Sequence, residues 1–112
     1  AFQRRYPERL SGLVLADTQA TADNETGRAG RYAAMETVRA QGVEAIVDGL
    51  LLKLFAPANF TGKRDLRERV RAMMVRQPAD GVRGALAAMA ARPDSMPGLA
   101  AVSCPTWVIV GE

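Results

Sequence analysis

Apolar residues follow two different rhythms along this chain. Two short runs, LSGLVLA at residues 10–16 and TWVIV at residues 106–110, are continuously apolar or β-prone and flanked by turn formers, the pattern of buried strands. Between them the apolar positions recur every three or four residues, which is the helical period. From about Arg28, the residues Tyr32, Met35 and Val38 keep one face apolar until Gly42 breaks the run. Val43, Ile46, Val47, Leu50, Leu51 and Leu54 carry the spacing on to Pro57, over an arc wide enough to require cover on more than one side. APANFTG reads as a connector. In KRDLRERVRAMMVRQP, residues 63–78, Leu66, Val70, Met73 and Met74 share one face while Arg64, Arg67, Glu68 and Arg71 occupy the other, which predicts an amphipathic helix with a solvated charged side. Pro78 and Asp80 open a further helix striped with Val82, Ala85, Leu86 and Met89 and closed by Arg92 and Pro93.

The flanks complete the order. AFQRRYPERL reads as the last turns of a helix stopped by Pro7, with Glu8 and Arg9 in a polar turn; QATADNETG, residues 19–27, reads as a surface loop; DSMPGLAAVSC holds one short helical turn. The prediction is therefore helix end, strand, four helices, strand. Far more residues separate the two strands than the dozen or so that a parallel crossover needs, so a helical subdomain sits within the connection. Neither strand alternates with period two, as expected of strands covered on both faces, and two strands alone do not provide that cover. The fold class is an α/β fragment, mainly helical between two short strands, and the chain is expected to be a piece of something larger.

Composition narrows the chemistry. With 112 residues, 48% hydrophobic and 24% charged, the chain has ordinary globular composition and disorder is not the expectation. One Cys and no His exclude an intramolecular disulfide framework and deprive a zinc site of its usual ligands, which places the chain in a reducing, cytoplasmic setting with no metal. No apolar run reaches the ~20 residues needed to cross a bilayer, and the opening AFQRRYPERL has charges where a signal peptide carries its apolar core. The net charge of +3 is too small to argue for nucleic acid, and Asp65 and Glu68 interrupt the one basic run, which also lacks interleaved aromatics.

FQRRYPERLSGLVLADT resembles the segment after the nucleophile helix of α/β-hydrolases, where a YPERV turn leads into a central strand written LVLxDT. CPTWVIVGE resembles the next core strand of that fold, which an Asp usually follows a residue or two later. The helices between them resemble the cap, or lid, of the subgroup that includes enol-lactone hydrolases and related esterases. The resemblance implies three regions: residues 1–18 as the end of the nucleophile helix and a core strand, 19–102 as the cap, and 103–112 as the next core strand. It further implies a G-x-S-x-G elbow before Ala1 and the acid and His after Glu112. The parent would cleave small esters or lactones with a Ser nucleophile, a His proton shuttle and an oxyanion hole, without a cofactor. The chain alone, having no His, is expected to be inactive.

Several residues admit two readings. Asp17 stands at the carboxyl end of the first strand, the edge where open α/β sheets place ligands; it is either an alternative acid orienting a His elsewhere or, the preferred reading, a cap of its own turn. Thr18 either faces the pocket or closes an ST-turn. Ser11 and Ser103 lie in no elbow motif, and Cys104, before Pro105, reads as a small buried hydrophobe. Met35, Leu51, Phe55, Met73, Met74 and Met89 either line an apolar pocket or pack the cap helices together; packing is favoured for each singly, with some subset facing substrate. The expected partners are a small ester or lactone in the parent and another copy of the chain, through exposed strands or cap helices, with no nucleic acid and no membrane. A non-catalytic, self-associating helical module is the competing function.

Overall fold

The computed structural model describes residues 2–111, which form two compact units. One takes the chain up to Ala22 and from Arg92 onward; the other is Asp23–Ala91.

The first unit is organised by two parallel strands, β1 (Leu13–Ala16) and β2 (Thr106–Ile109), paired in register with Leu13 opposite Thr106 and Ala16 opposite Ile109. Both are shorter than the apolar runs predicted. Pro105 has no N–H for the ladder, so pairing begins where the Leu13 N–H donates to the Pro105 carbonyl at 2.9 Å, and Leu10, Ser11 and Gly12 lie outside β1. At the other end Val110 lies beyond β2. A single helical turn, α1 (Phe2–Arg5), precedes Pro7, and a 3₁₀ turn follows over Pro7–Arg9, as the Pro predicts. A second 3₁₀ segment, Met96–Ala101, supplies the turn expected before the last strand. The Ser95 N–H donates to the Ala20 carbonyl at 2.8 Å and an Arg92 guanidinium nitrogen to that of Thr21 at 2.9 Å, tying the two halves of this unit together.

The second unit is helical: α2 (Glu25–Gln41), α3 (Glu44–Leu54), α4 (Pro57–Gly62), α5 (Arg64–Val75) and α6 (Ala79–Ala90). Four are long, as predicted, and the connector APANFTG contains the short fifth. Pro57 occupies the first turn of α4, where its missing N–H costs nothing. α2 begins three residues before the apolar rhythm does, because Asn24 caps it: the Asn24 side chain accepts from the Gly27 N–H at 2.8 Å. Gly42 ends α2 with φ of 83°, and its N–H reaches back to the Val38 carbonyl.

The core of this unit is small. α2 packs mainly on α6 and α3, and α3 on α5, burying Val38, Val47, Leu51, Leu86 and Ala90. On α6 the inward stripe is Leu86 and Ala90, flanked by half-buried Val82 and Met89, whereas Ala85 faces solvent; four residues from Leu86, Ala90 takes the buried place. The wide apolar arc of α3 is covered only in part, for Val47 and Leu51 are buried while Leu50 and Leu54 stay exposed. Among the described residues no helix is long and apolar enough to cross a membrane.

Candidate functional site

Each unit carries one candidate region. In the strand unit it is the carboxyl edge of the sheet. Asp17 follows β1 directly, and its N–H donates to the Ile109 carbonyl at 2.7 Å, one step past the paired residues. Its φ of 45° lies in the left-handed region, which Asp enters more readily than most residues because its short polar side chain finds local partners. The carboxylate and Thr18 are both exposed. Strained backbone and a free carboxylate at a sheet's ligand edge are arrangements that functional sites use, and a tight turn uses them equally. Cys104 is half-buried beside this strand pair, and Ser103 is exposed.

Among the described residues of the helical unit, three grooves stand out. One of about 690 Å³ runs between α2 and α3, lined by Gly30, Ala34, Ile46, Gly49, Leu50 and Lys53, with Leu86 of α6 also touching it. A crevice of about 430 Å³ lies between α3 and α5, with Leu51, Leu52, Phe60, Arg67 and Arg71 among its walls. A third hollow of about 530 Å³ follows α5 along Arg69, Met73 and Arg76. The predicted pocket residues are spread over these features. Leu51 lines the α3–α5 crevice from the buried side and Met73, 51% exposed, lines the hollow on α5. Met35, Met74 and Met89 are half-buried and line none of the three; half-buried Phe55 meets the Phe60 ring edge-on at 6.5 Å between centroids.

The electrostatics hold a feature that the sequence reading missed. Arg67 and Arg71, placed on a solvated face by periodicity, are both engaged. Arg71 donates from Nε to Asp48 at 2.9 Å and from Nη2 to Glu44 at 2.7 Å, spanning one turn of α3. These hydrogen bonds, that to Glu44 foremost, push the Arg71 guanidinium above its already high ordinary pKa, so it stays cationic at any working pH. Arg67 donates from Nη1 to the Phe60 carbonyl at 3.0 Å and stacks over the Phe60 ring at 4.8 Å. The four-residue spacing of Glu44 and Asp48 marks them as neighbours on α3, but nothing local in the sequence pairs them with an Arg on another helix. Elsewhere Arg31 Nε meets the nearly buried Asp23 carboxylate at 2.9 Å. Among the described residues no group of three or more His, Cys, Asp or Glu is placed to hold a metal ion.

No family model matches the chain, and no curated protein matches it. It is similar to a solved structure, a thermophilic esterase from Thermogutta terrifontis determined with malate bound, at 38% identity and a TM-score of 0.92. The match covers 98% of this chain and 40% of that one, so the chain spans about two fifths of the esterase's length. With that likeness added to the parallel strands and the helices between them, the chain has an esterase-like fold, mainly helical with two short parallel strands.

Proposed function

We propose that the chain is the cap, with its two flanking core strands, of an α/β-hydrolase that cleaves small carboxylic esters or lactones. The observation that carries this reading is the 38% identity to an esterase over 98% of the chain, spanning both strands and every helix between them. In such a protein a Ser nucleophile, a His base and its acid partner lie in the remainder of the core. The cap contributes apolar surface that keeps water from the acyl-enzyme and sets which acyl groups fit. Met35, Leu51, Phe55, Met73, Met74 and Met89 are the residues from which that surface is drawn, and Asp17 and Thr18 face the ligand edge of the sheet. The single Cys104 and the absence of His suit a reducing cytoplasm and leave the 112-residue chain without a base of its own.

The test is an assay of the whole encoded protein on p-nitrophenyl esters from acetate to octanoate and on a simple lactone. Hydrolysis that disappears on replacing the elbow Ser, together with an altered chain-length preference in Met73→Ala, is the expected result. A whole protein that turns over none of these substrates overturns the reading.

The apolar surface of the strands favours a second reading, a self-associating module. All four residues of β2 are exposed, Trp107 by 72%, and Val14 on β1 is exposed as well. Sedimentation of the 112-residue chain distinguishes the two: a defined dimer with Trp107 protected from quenchers supports the module, and a monomer sinks it.

A further inference from the structure

We infer that α5 is a flap of the helical unit, latched against α3 by Arg71 and able to swing away while the other long helices stay packed. Burial sets α5 apart. α2 buries Val38, α3 buries Val47 and Leu51, and α6 buries Leu86 and Ala90, but α5 has no buried residue. Its apolar side is half-buried at Val70, Met74 and Val75 and exposed at Leu66 and Met73. Neither end is fastened by a side-chain cap at its start or a left-handed glycine at its close. An element with little buried apolar area sits at the low end of local stability, so its polar contacts decide whether it stays down.

Those contacts are arranged as a pivot and a catch. Near the start of α5, Arg67 is held to the Phe60 carbonyl and ring of α4. One turn later Arg71 grips two carboxylates of α3 with the two arms of its guanidinium, at 2.7 and 2.9 Å. The catch releases cheaply. Glu44 and Asp48 are largely exposed, so letting go returns charges to water and strands none in the interior. Glu44 is also the first residue of α3, where a carboxylate is favourable even unpaired. When the catch lets go, the open crevice between α3 and α5 loses the wall that Arg67, Glu68 and Arg71 supply, and its apolar side at Leu51, Leu52 and Phe60 widens toward an apolar guest.

Hydrogen exchange of the 112-residue chain, read peptide by peptide by mass spectrometry, tests this. Arg71→Met keeps the apolar stem and removes the fork. It is expected to speed exchange of the α5 amides roughly three- to tenfold relative to those of α2 and α6, the range of one or two exposed ion pairs. Arg39→Met, which deletes the exposed Arg39–Glu36 pair on α2, is the comparator and is expected to leave α5 unchanged. In the unsubstituted chain, raising salt from about 0.1 M to about 1 M shortens the Debye length from ~10 to ~3 Å and should shift α5 in the same direction as Arg71→Met. Equal acceleration of α2, α5 and α6 in both experiments overturns the inference, since the unit then opens as a whole; so does an α5 whose exchange neither the substitution nor salt moves.

Discussion

The N–H of Asp17 donates to the carbonyl of Ile109 at 2.7 Å, so the last rung of the parallel ladder is made by a residue that has already turned out of the strand, with φ of 45°. The left-handed turn that follows costs any residue with a Cβ.

Two substitutions therefore separate backbone from carboxylate at this position. Asp17→Gly removes the steric cost and is expected to leave stability unchanged or raise it by up to ~1 kcal/mol, whereas Asp17→Val should lose ~1–2 kcal/mol. Urea unfolding followed by Trp107 fluorescence measures both. In the whole encoded protein, assayed as proposed above, the same pair discriminates function. An Asp17→Gly enzyme that keeps its activity shows a turn residue, and one that loses it together with Asp17→Asn shows an acid at work.

On α3, neighbouring leucines make opposite predictions. Leu51 is 2% exposed and Leu52 is 63% exposed. Leu51→Ala opens a cavity in a core of few residues and is expected to cost ~2–4 kcal/mol, a large share of the ~5–15 kcal/mol ordinary for a folded domain. Leu52→Ala should change stability by less than ~0.5 kcal/mol. A large loss from Leu52→Ala in the isolated chain would mean that a second copy already covers that face.

Much of this architecture was legible in the sequence because burial writes itself as period. The runs around Leu13 and Val108 and the three- to four-residue spacing from Tyr32 to Met89 gave the order of elements. Periodicity failed where polar chemistry decides. Asn24 starts α2 inside a stretch that looks like loop, since a cap and the first helical turn carry no apolar stripe. Met73 shares a helical face with Val70 yet stays exposed, because α5 meets a neighbour over only part of that face. Arg71 looks solvated until its partners 23 and 27 residues away are brought to it by folding. The candidate site was less legible still: residues at one helical spacing need not share a groove, and Leu51 and Met73 line different ones.

The Asn24 cap yields a prediction of its own. Asn24→Ala removes the acceptor of the Gly27 N–H and is expected to cost ~1 kcal/mol, within a range of ~0.5–2. Asn24→Asp or Asn24→Ser should recover most of it, since either offers an oxygen at the same place and Asp adds a favourable charge at the helix start. Thermal unfolding by circular dichroism reads the effect. An Ala variant as stable as the parent chain would show that solvent satisfies that amide as well.

Two glycines of the helical unit should answer the same substitution with opposite signs. Gly42 ends α2 at φ of 83° and ψ of 174°, a region almost closed to residues with a Cβ. Gly42→Ala must either strain that turn or move α3, whose N-cap is the next residue, and is expected to cost ~1–3 kcal/mol. Gly49 lies inside α3 in ordinary helical backbone, and a Cβ placed there meets nothing within 4 Å. Gly49→Ala removes unfolded-chain entropy without a clash and is expected to stabilise by ~0.5–1 kcal/mol. The contrast decides what Gly49 is for, because the open space above it is shared by the α2–α3 groove and the α3–α5 crevice. If Gly49→Ala raises the unfolding midpoint of the isolated chain but weakens any ester turnover of the whole encoded protein, the glycine keeps room for a guest rather than for the fold. If it raises stability and leaves turnover untouched, neither hollow at that point of α3 is part of the acyl pocket.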